Sequence, residues 1–344
     1  MVGSARFKSL WAGSPSTPVV IVESDDWGPG PQMQAEALWA IAEGLASVRD
    51  RVGRPALMTV GVVLSLPDPQ AIEERGEYGA RFLDHPAYRP VLEALKAGEE
   101  AGVFELQLHG LAHFWPASFM AAWQREETVR RWLQEDGWRT EKLPAWLQSR
   151  WVDSSSLPTQ PLAEEAIRRA VQEEVQVFRR CFGRAPKVAV PPTFVWTEEV
   201  ERAYAEAGVE VLITPGSRYP GRDLQGKLLP AQRRYVNGER LPSGLIALVR
   251  EVYFEPVLGH DPKAVVDQIE RKWRRREPAL LETHRFNFLD GNLAASLAAL
   301  KRLLQQVLER LPEVRFLSSR QVAEQLAGAS LGQRLQSAWR RFWP

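Results

Sequence analysis

The sequence predicts an α/β protein, a single distorted (β/α)7–8 parallel barrel with a Trp-rich helical insertion, and three observations lead there. Short apolar runs rich in Val, Ile and Leu alternate with amphipathic helical stretches, the order in which strand–helix units build a parallel sheet. The runs number about eight, and most stop at polar residues of a kind that does chemistry. The length of 344 residues, with 44% apolar and 25% charged side chains, suits one large core.

Taken in order, Val19 to Val22 is a buried strand that ends at Glu23-Ser24-Asp25-Asp26-Trp27-Gly28. Two adjacent carboxylates at a strand end repel one another unless a cation or a shared proton relieves them. A helix over about 35–48 follows, then the strand Ala56 to Leu64. The helical period of Tyr88, Val91, Leu92 and Leu95 stops at Gly98 or Gly102, and Val103 to His109 alternates as a third strand. Pro161 to Phe182 is strongly helical with Gly183 at its end. Lys187 to Val190 is a strand leading into Pro191-Pro192-Thr193, and a helix begins at Thr197 as N-cap. Val209 to Ile213 is a strand. The basic stretch 216–243 reads as a lid or hairpin with a solvated face. Leu245 to Val249, extended by Val252 to Pro256, is the next strand; a helix over Asp261 to Arg276 separates it from Ala279 to His284. The helix Leu293 to Leu311, the short strand Val314 to Leu317 and a helix at Gln321 to Leu326 complete residues 1–330 as one domain.

Residues of about 115–155 break this rhythm: six of the thirteen tryptophans, Trp115, Trp123, Trp132, Trp138, Trp146 and Trp151, fall there without a strand pattern. They read as a helical excursion over the barrel mouth whose rings form a private core. A ring can also offer its flat face to a sugar, and Trp115, two residues past His113, is the first candidate. Trp196 is the second.

A net charge of +1 gives no electrostatic footprint for nucleic acid. The lone cysteine, Cys181, sits in an apolar helical stretch, which suits a buried thiol rather than a nucleophile. No signal-peptide core and no apolar run of membrane-spanning length appears, so a cytoplasmic protein is expected. At the C-terminus, 331–344 reads as an amphipathic helix with Leu331, Leu335, Ala338, Trp339 and Phe342 on one stripe. That stripe suits docking on the barrel or, with Arg334, Arg340 and Arg341 around it, a peripheral membrane contact.

The chemistry-bearing residues share a position rather than a segment. Asp25-Asp26, His109-Gly110-Leu111-Ala112-His113, Pro191-Pro192 and His284 all follow strands, whose ends converge on one face of a parallel barrel. Two imidazoles four residues apart lie on one side of a segment that turns helical, and with one carboxylate they make a three-ligand divalent-metal site.

These motifs resemble the polysaccharide deacetylase family, the NodB-type metal-dependent carbohydrate esterases, over about 18–320. The resemblance implies the barrel of glycoside hydrolases and deacetylases. It also implies Asp25 as general base, Asp26, His109 and His113 as metal ligands, and His284, in Leu281-Glu282-Thr283-His284, as general acid. The family's third motif is matched by Val190-Pro191-Pro192-Thr193-Phe194, which keeps the prolines and has neither the family's Arg nor its Gly. Glu-Ser-Asp-Asp-Trp-Gly, Val-x-Phe-Glu-Pro and Thr-His-Arg-Phe-Asn-Phe together resemble a little-characterised, cytoplasmic-looking branch.

The residue types agree with that chemistry. A divalent ion, zinc above all, with cobalt, manganese or nickel as alternatives, acidifies water and polarises an acyl oxygen. The Thr193 N–H is a candidate oxyanion donor, and Glu255 and Arg285 are candidates for contact with substrate or for a structural ion pair. Expected is removal of an acetyl or other acyl group from an amino sugar or an oligosaccharide. The alternatives are an amidohydrolase acting on a non-sugar C–N bond and a non-catalytic barrel that binds carbohydrate or a partner.

Overall fold

The computed structural model describes residues 17–135 and 137–325, so the amphipathic stripe over 331–344 lies outside the described residues. The main sheet is built from β1 (Val19–Trp27), β2 (Met58–Val62), β3 (Phe104–Leu108), β4 (Val188–Ala189), β5 (Val211–Thr214), β6 (Ile246–Val249), β7 (Val252–Tyr253) and β8 (Ala279–His284), with β9 (Arg315–Phe316) against the start of β1 and the short strand Glu239–Arg240 antiparallel against β6. Strands β1 to β8 pair in parallel in the order β6-β5-β4-β3-β2-β1-β8-β7.

Only Arg250 and Glu251 separate β6 from β7, so one extended stretch pairs with β5 at one edge of the sheet and with β8 at the other. The curled sheet is thereby returned on itself. The predicted seven or eight staves resolve to seven, because β6 and β7 are one stave whose two halves pair with opposite edges.

Side-chain alternation then divides the core. Val19 and Ile21 of β1 join Val188, Val190, Val211, Ile213, Ile246, Leu248 and Leu280 in an interior cluster. Val20 and Val22 join the larger layer between sheet and helices. That outer layer is made by α1 (Gln32–Ala46), α2 (Arg89–Glu100), α5 (Glu164–Phe182), α6 (Glu198–Glu206), α7 (Pro262–Arg274) and α8 (Leu293–Arg310). Helix α5 buries Ile167, Val171 and Phe178 along one face and ends at Gly183, whose φ of 72° is the left-handed cap foreseen there. Thr197 stands at the N-cap of α6 without capping through its side chain, whereas Asp261 caps α7 by accepting from the Ala264 N–H at 3.2 Å.

The insertion carries α3 (Pro116–Arg125) and α4 (Glu127–Glu135). Trp132, with Trp123 and Trp146 against it, joins Phe114, Phe119, Leu143 and Leu147 in a separate small core. Trp115, Trp138 and Trp151 pack instead on the barrel layer, so the rings serve two cores rather than one. The stretch 216–243 is hairpin-like, Ser217–Arg218 pairing antiparallel with Arg233–Arg234. Its arginines are not all solvated, however: Arg218 and Arg222 are buried, the first bonded to Glu201 and the second to the Gly226 carbonyl. Cys181 is buried and its thiol is pushed up to about 11 by that burial, as a structural role requires. Among the described residues no helix is long and apolar enough to cross a membrane.

Candidate metal centre

The parallel register β1–β8 sets Glu23 beside Glu282 and Asp25 beside His284. With period two, Ile21, Glu23 and Asp25 point inward, so the barrel interior changes from apolar to polar toward its C-terminal end. Asp26 breaks the alternation and should point outward. It does not, because a register shift between Ser24 and Trp27 and a φ of 72° at Asp26 turn its carboxylate back to the site.

On β3 the same alternation turns His109 inward. The residues that follow do not continue as a helix; the chain turns at Gly110, with φ of 85°. The four-residue spacing is therefore met by a turn, correcting the helical expectation, and the two imidazoles sit edge to face with centroids 4.8 Å apart. Asp26 Oδ1 lies 3.2 Å from His109 Nε2 and 2.9 Å from His113 Nε2. Donor atoms of all three lie within 4.8 Å of one another, and all three residues are buried.

The donors fit a divalent cation. His109 Nδ1 is 2.9 Å from the Val190 carbonyl oxygen, which requires the proton on Nδ1 and leaves the Nε2 lone pair facing Asp26. Asp26 Oδ1 and His113 Nε2 are buried without a hydrogen-bond partner despite their proximity. Glu23, Asp25, Asp26, Glu255 and Glu282 are all buried at this end of the barrel, an excess of negative charge that a cation relieves.

Arg250 was not among the sequence candidates. Fully buried where β6 meets β7, it spans both oxygens of Asp25, Nη1 to Oδ2 at 2.5 Å and Nη2 to Oδ1 at 3.1 Å, and its Nε donates to Glu23 at 2.6 Å. The Ser319 hydroxyl donates to the other Glu23 oxygen. Burial raises Asp25, but the Arg250 charge, with His109 and His284, brings its carboxyl below the ordinary value. Gly61 on β2 completes this seat: a Cβ there would stand 2.0 Å from Asp25 Oδ1. The signal for Arg250 was available, since Ile246, Leu248 and Arg250 share the inward phase of an otherwise apolar strand.

Of its two expected roles Glu255 takes the ion pair, as the partner of His284, its Oε1 2.6 Å from Nδ1. Asn287 donates to the other Glu255 oxygen and to the Thr283 hydroxyl. Burial alone would lower the imidazole; the Glu255 bond and the charges of Asp26, Glu255 and Glu282 instead raise it to about 10. His284 Nε2 lies 3.6 Å from Glu282 Oε1, and Phe286 stacks on the ring at 5.8 Å.

The remaining candidates divide. Thr193 has φ of 52° in the turn after Pro192, and its hydroxyl is tied to the Gln148 carbonyl at 2.5 Å, so its main chain is what it can offer. Trp115 is half-buried, with the Arg150 guanidinium 5.6 Å over its ring. Arg285 is buried and donates to the Trp138 carbonyl and to Glu141, fastening the insertion to the barrel mouth, and it shares a narrow cleft with Asp26, Trp138 and Thr140. Trp196 is a correction. It is fully buried, donates from Nε1 to Glu201 at 3.0 Å and stacks on Tyr235, leaving no face for a sugar.

Fold and site together define a parallel α/β barrel with a buried Asp-His-His cluster and a His–Glu pair at the C-terminal ends of its strands. The profile of the family described as Glycosyl hydrolase family 57 matches residues 81–250. No curated protein matches the chain. Among solved structures, a CE4 family pseudoenzyme from Bacillus anthracis is similar at 12% identity and a TM-score of 0.40, over 87% of this chain and 64% of the other, so this chain spans under two thirds of its length. A family 4 carbohydrate esterase from Streptomyces lividans, in complex with acetate, is similar at 12% identity and TM-score 0.40, over 86% and 90%. A 4-alpha-glucanotransferase from Thermococcus litoralis is similar at 10% identity and TM-score 0.45, over 89% and 40%. Likenesses at this level carry no argument about activity.

Proposed function

We propose that this chain is a metal-dependent deacylase that hydrolyses the C–N bond of an N-acetylated amino sugar or a related amide. The observation that supports it most is the buried Asp26-His109-His113 cluster flanked by Asp25 on Arg250 and His284 on Glu255. A divalent ion held by the three ligands, zinc first by donor type, supplies Lewis-acid polarisation and acidified water. Asp25, kept ionised by Arg250, takes the proton of the attacking water. His284, kept protonated by Glu255, gives a proton to the leaving nitrogen. The Thr193 N–H is the oxyanion donor of this scheme.

The alternative of a non-catalytic barrel draws on the missing arginine of Val190-Pro191-Pro192-Thr193-Phe194, and Arg250 on Asp25 weighs against it by placing a guanidinium there from another strand. Glycoside hydrolysis, suggested by the matching family profile, needs two carboxylates across the scissile bond. The main-sheet strands within 81–250 run out at His109, Val190, Thr214 and Arg250, so such a pair would have to come from acids outside the matched segment, where Asp25 and Glu255 are already paired with Arg250 and His284.

The test is metal content by elemental analysis together with acetate release from a panel of N-acetylated sugars and non-sugar amides. Expected are one divalent ion per chain, its loss in a His109→Ala/His113→Ala variant, and metal-dependent release abolished by Asp25→Asn. Full occupancy in the double variant would sink the ligand assignment, and absence of any acyl release would favour a binding role.

A further inference from the structure

We infer that Glu174, on the outer helix α5, is a positioning residue for the His109–His113 turn, an inference that rests on the ligand assignment proposed above. Its carboxylate Oε2 accepts the Leu111 N–H at 3.0 Å, at the midpoint between the two imidazoles. The carbonyl of the same residue is held from the other side, by the Ser65 N–H at 2.8 Å and the Ser65 hydroxyl at 2.9 Å, and the Gly110 carbonyl accepts from the Leu64 N–H at 3.2 Å. With Gly110 left-handed and no helical hydrogen bonds across the turn, these grips, two from main-chain N–H groups and two from the Glu174 and Ser65 side chains, decide where the two rings stand.

An anion is an expensive choice for this task. Glu174 is fully buried on a helix face that otherwise buries Ile167, Val171 and Phe178, and desolvation raises its carboxyl to about 7. Its cation is Arg150, itself buried, with Nε 3.8 Å from Oε2 and its guanidinium 5.6 Å over the Trp115 ring and 5.5 Å over the Trp151 ring. A charged acceptor makes a shorter and stronger bond to an N–H than a neutral one, so the pair suits a turn that must not drift. Because Arg150 belongs to the Trp-rich insertion, the arrangement also makes the insertion part of the support of the metal ligands rather than a separate cap.

The experiment uses the full chain, stripped of metal, titrated with Co2+ followed by its visible absorption and with Zn2+ by calorimetry. Glu174→Ala should weaken Zn2+ binding by about 10- to 100-fold, the range for losing a residue that orients a ligand, and shift the Co2+ bands. Glu174→Gln, whose amide oxygen can still accept the Leu111 N–H but without the charge, should fall between wild type and Glu174→Ala, because a neutral acceptor makes a bond about half as strong. Should Glu174→Ala be insoluble, Glu174→Asp, which withdraws the carboxylate from Leu111, carries the same expectation. A purely structural role would lower the unfolding midpoint of the apo protein while leaving affinity and spectrum unchanged, and that result overturns the inference, as does equal impairment of the Gln and Ala forms. Failure of the wild type to take up either ion would instead sink the ligand assignment itself, and the inference with it.

Discussion

Arg250 grips both carboxylate oxygens of Asp25 across 225 positions of sequence, and the same guanidinium takes Glu23 with its third nitrogen, Nε. A planar five-donor group suits this double duty, because the carboxylates approach its two edges. With Glu282 3.7 Å away as well, one side chain at the seam between β6 and β7 offsets part of the interior negative charge.

Removing that side chain should be costly. Arg250→Met leaves Glu23 and Asp25 buried and unpaired, and urea unfolding should show a loss of about 3–5 kcal/mol. Adding Asp25→Asn to Arg250→Met should return part of the loss. Equal stability of wild type and Arg250→Met would mean that the pairing is incidental.

Gly61→Ala tests the seat of Asp25 with one methyl group. The added Cβ would stand 2.0 Å from Oδ1, so the carboxylate must move by more than an ångström while the three proposed metal ligands are untouched. Acetate release should fall by about 100-fold, typical of misplacing a reacting group by that distance, with metal content unchanged. A normal rate in Gly61→Ala would remove Asp25 from the reaction.

The His284–Glu255 pair sets a pH window for stability. The folded imidazole is raised from 6.5 to about 10, so its contribution is fully present below pH 6.5 and is lost as pH rises through about 10. The unfolding free-energy gap between wild type and Glu255→Gln should therefore be widest below pH 6.5, about 1.5–3 kcal/mol for a hydrogen bond to a charged group, and shrink toward pH 10. A gap that grows with pH would reverse the assignment.

Trp196 should behave as core. Trp196→Phe removes the Nε1 bond to buried Glu201, whose Oε1 keeps Arg218 and the Tyr235 hydroxyl as donors, so about 0.5–1.5 kcal/mol of stability should go with it, the net worth of one hydrogen bond. Saturation kinetics on any accepted substrate should keep the wild-type KM. A raised KM at unchanged stability would restore a sugar-binding role.

What the sequence determined by itself is what local pattern determines. The alternation of apolar runs with amphipathic helices specified parallel α/β order, and polar residues at the ends of those runs marked Asp25, Asp26, His109, His113 and His284, because strand ends of a parallel barrel must meet. The tertiary structure alone decided the rest. Arg250 lies far along the chain from Asp25, and only the split of one stave between two sheet edges brings it there. Asp26 faces its histidines through a positive φ that no hydropathy pattern announces. Trp196 lost its expected role and Glu255 took the ion pair of its two expected roles, because burial and partners, not residue type, settle whether a ring is a platform or a carboxylate a substrate contact. Local sequence sets which face of a strand a residue occupies, and what it meets there depends on closure of the whole sheet.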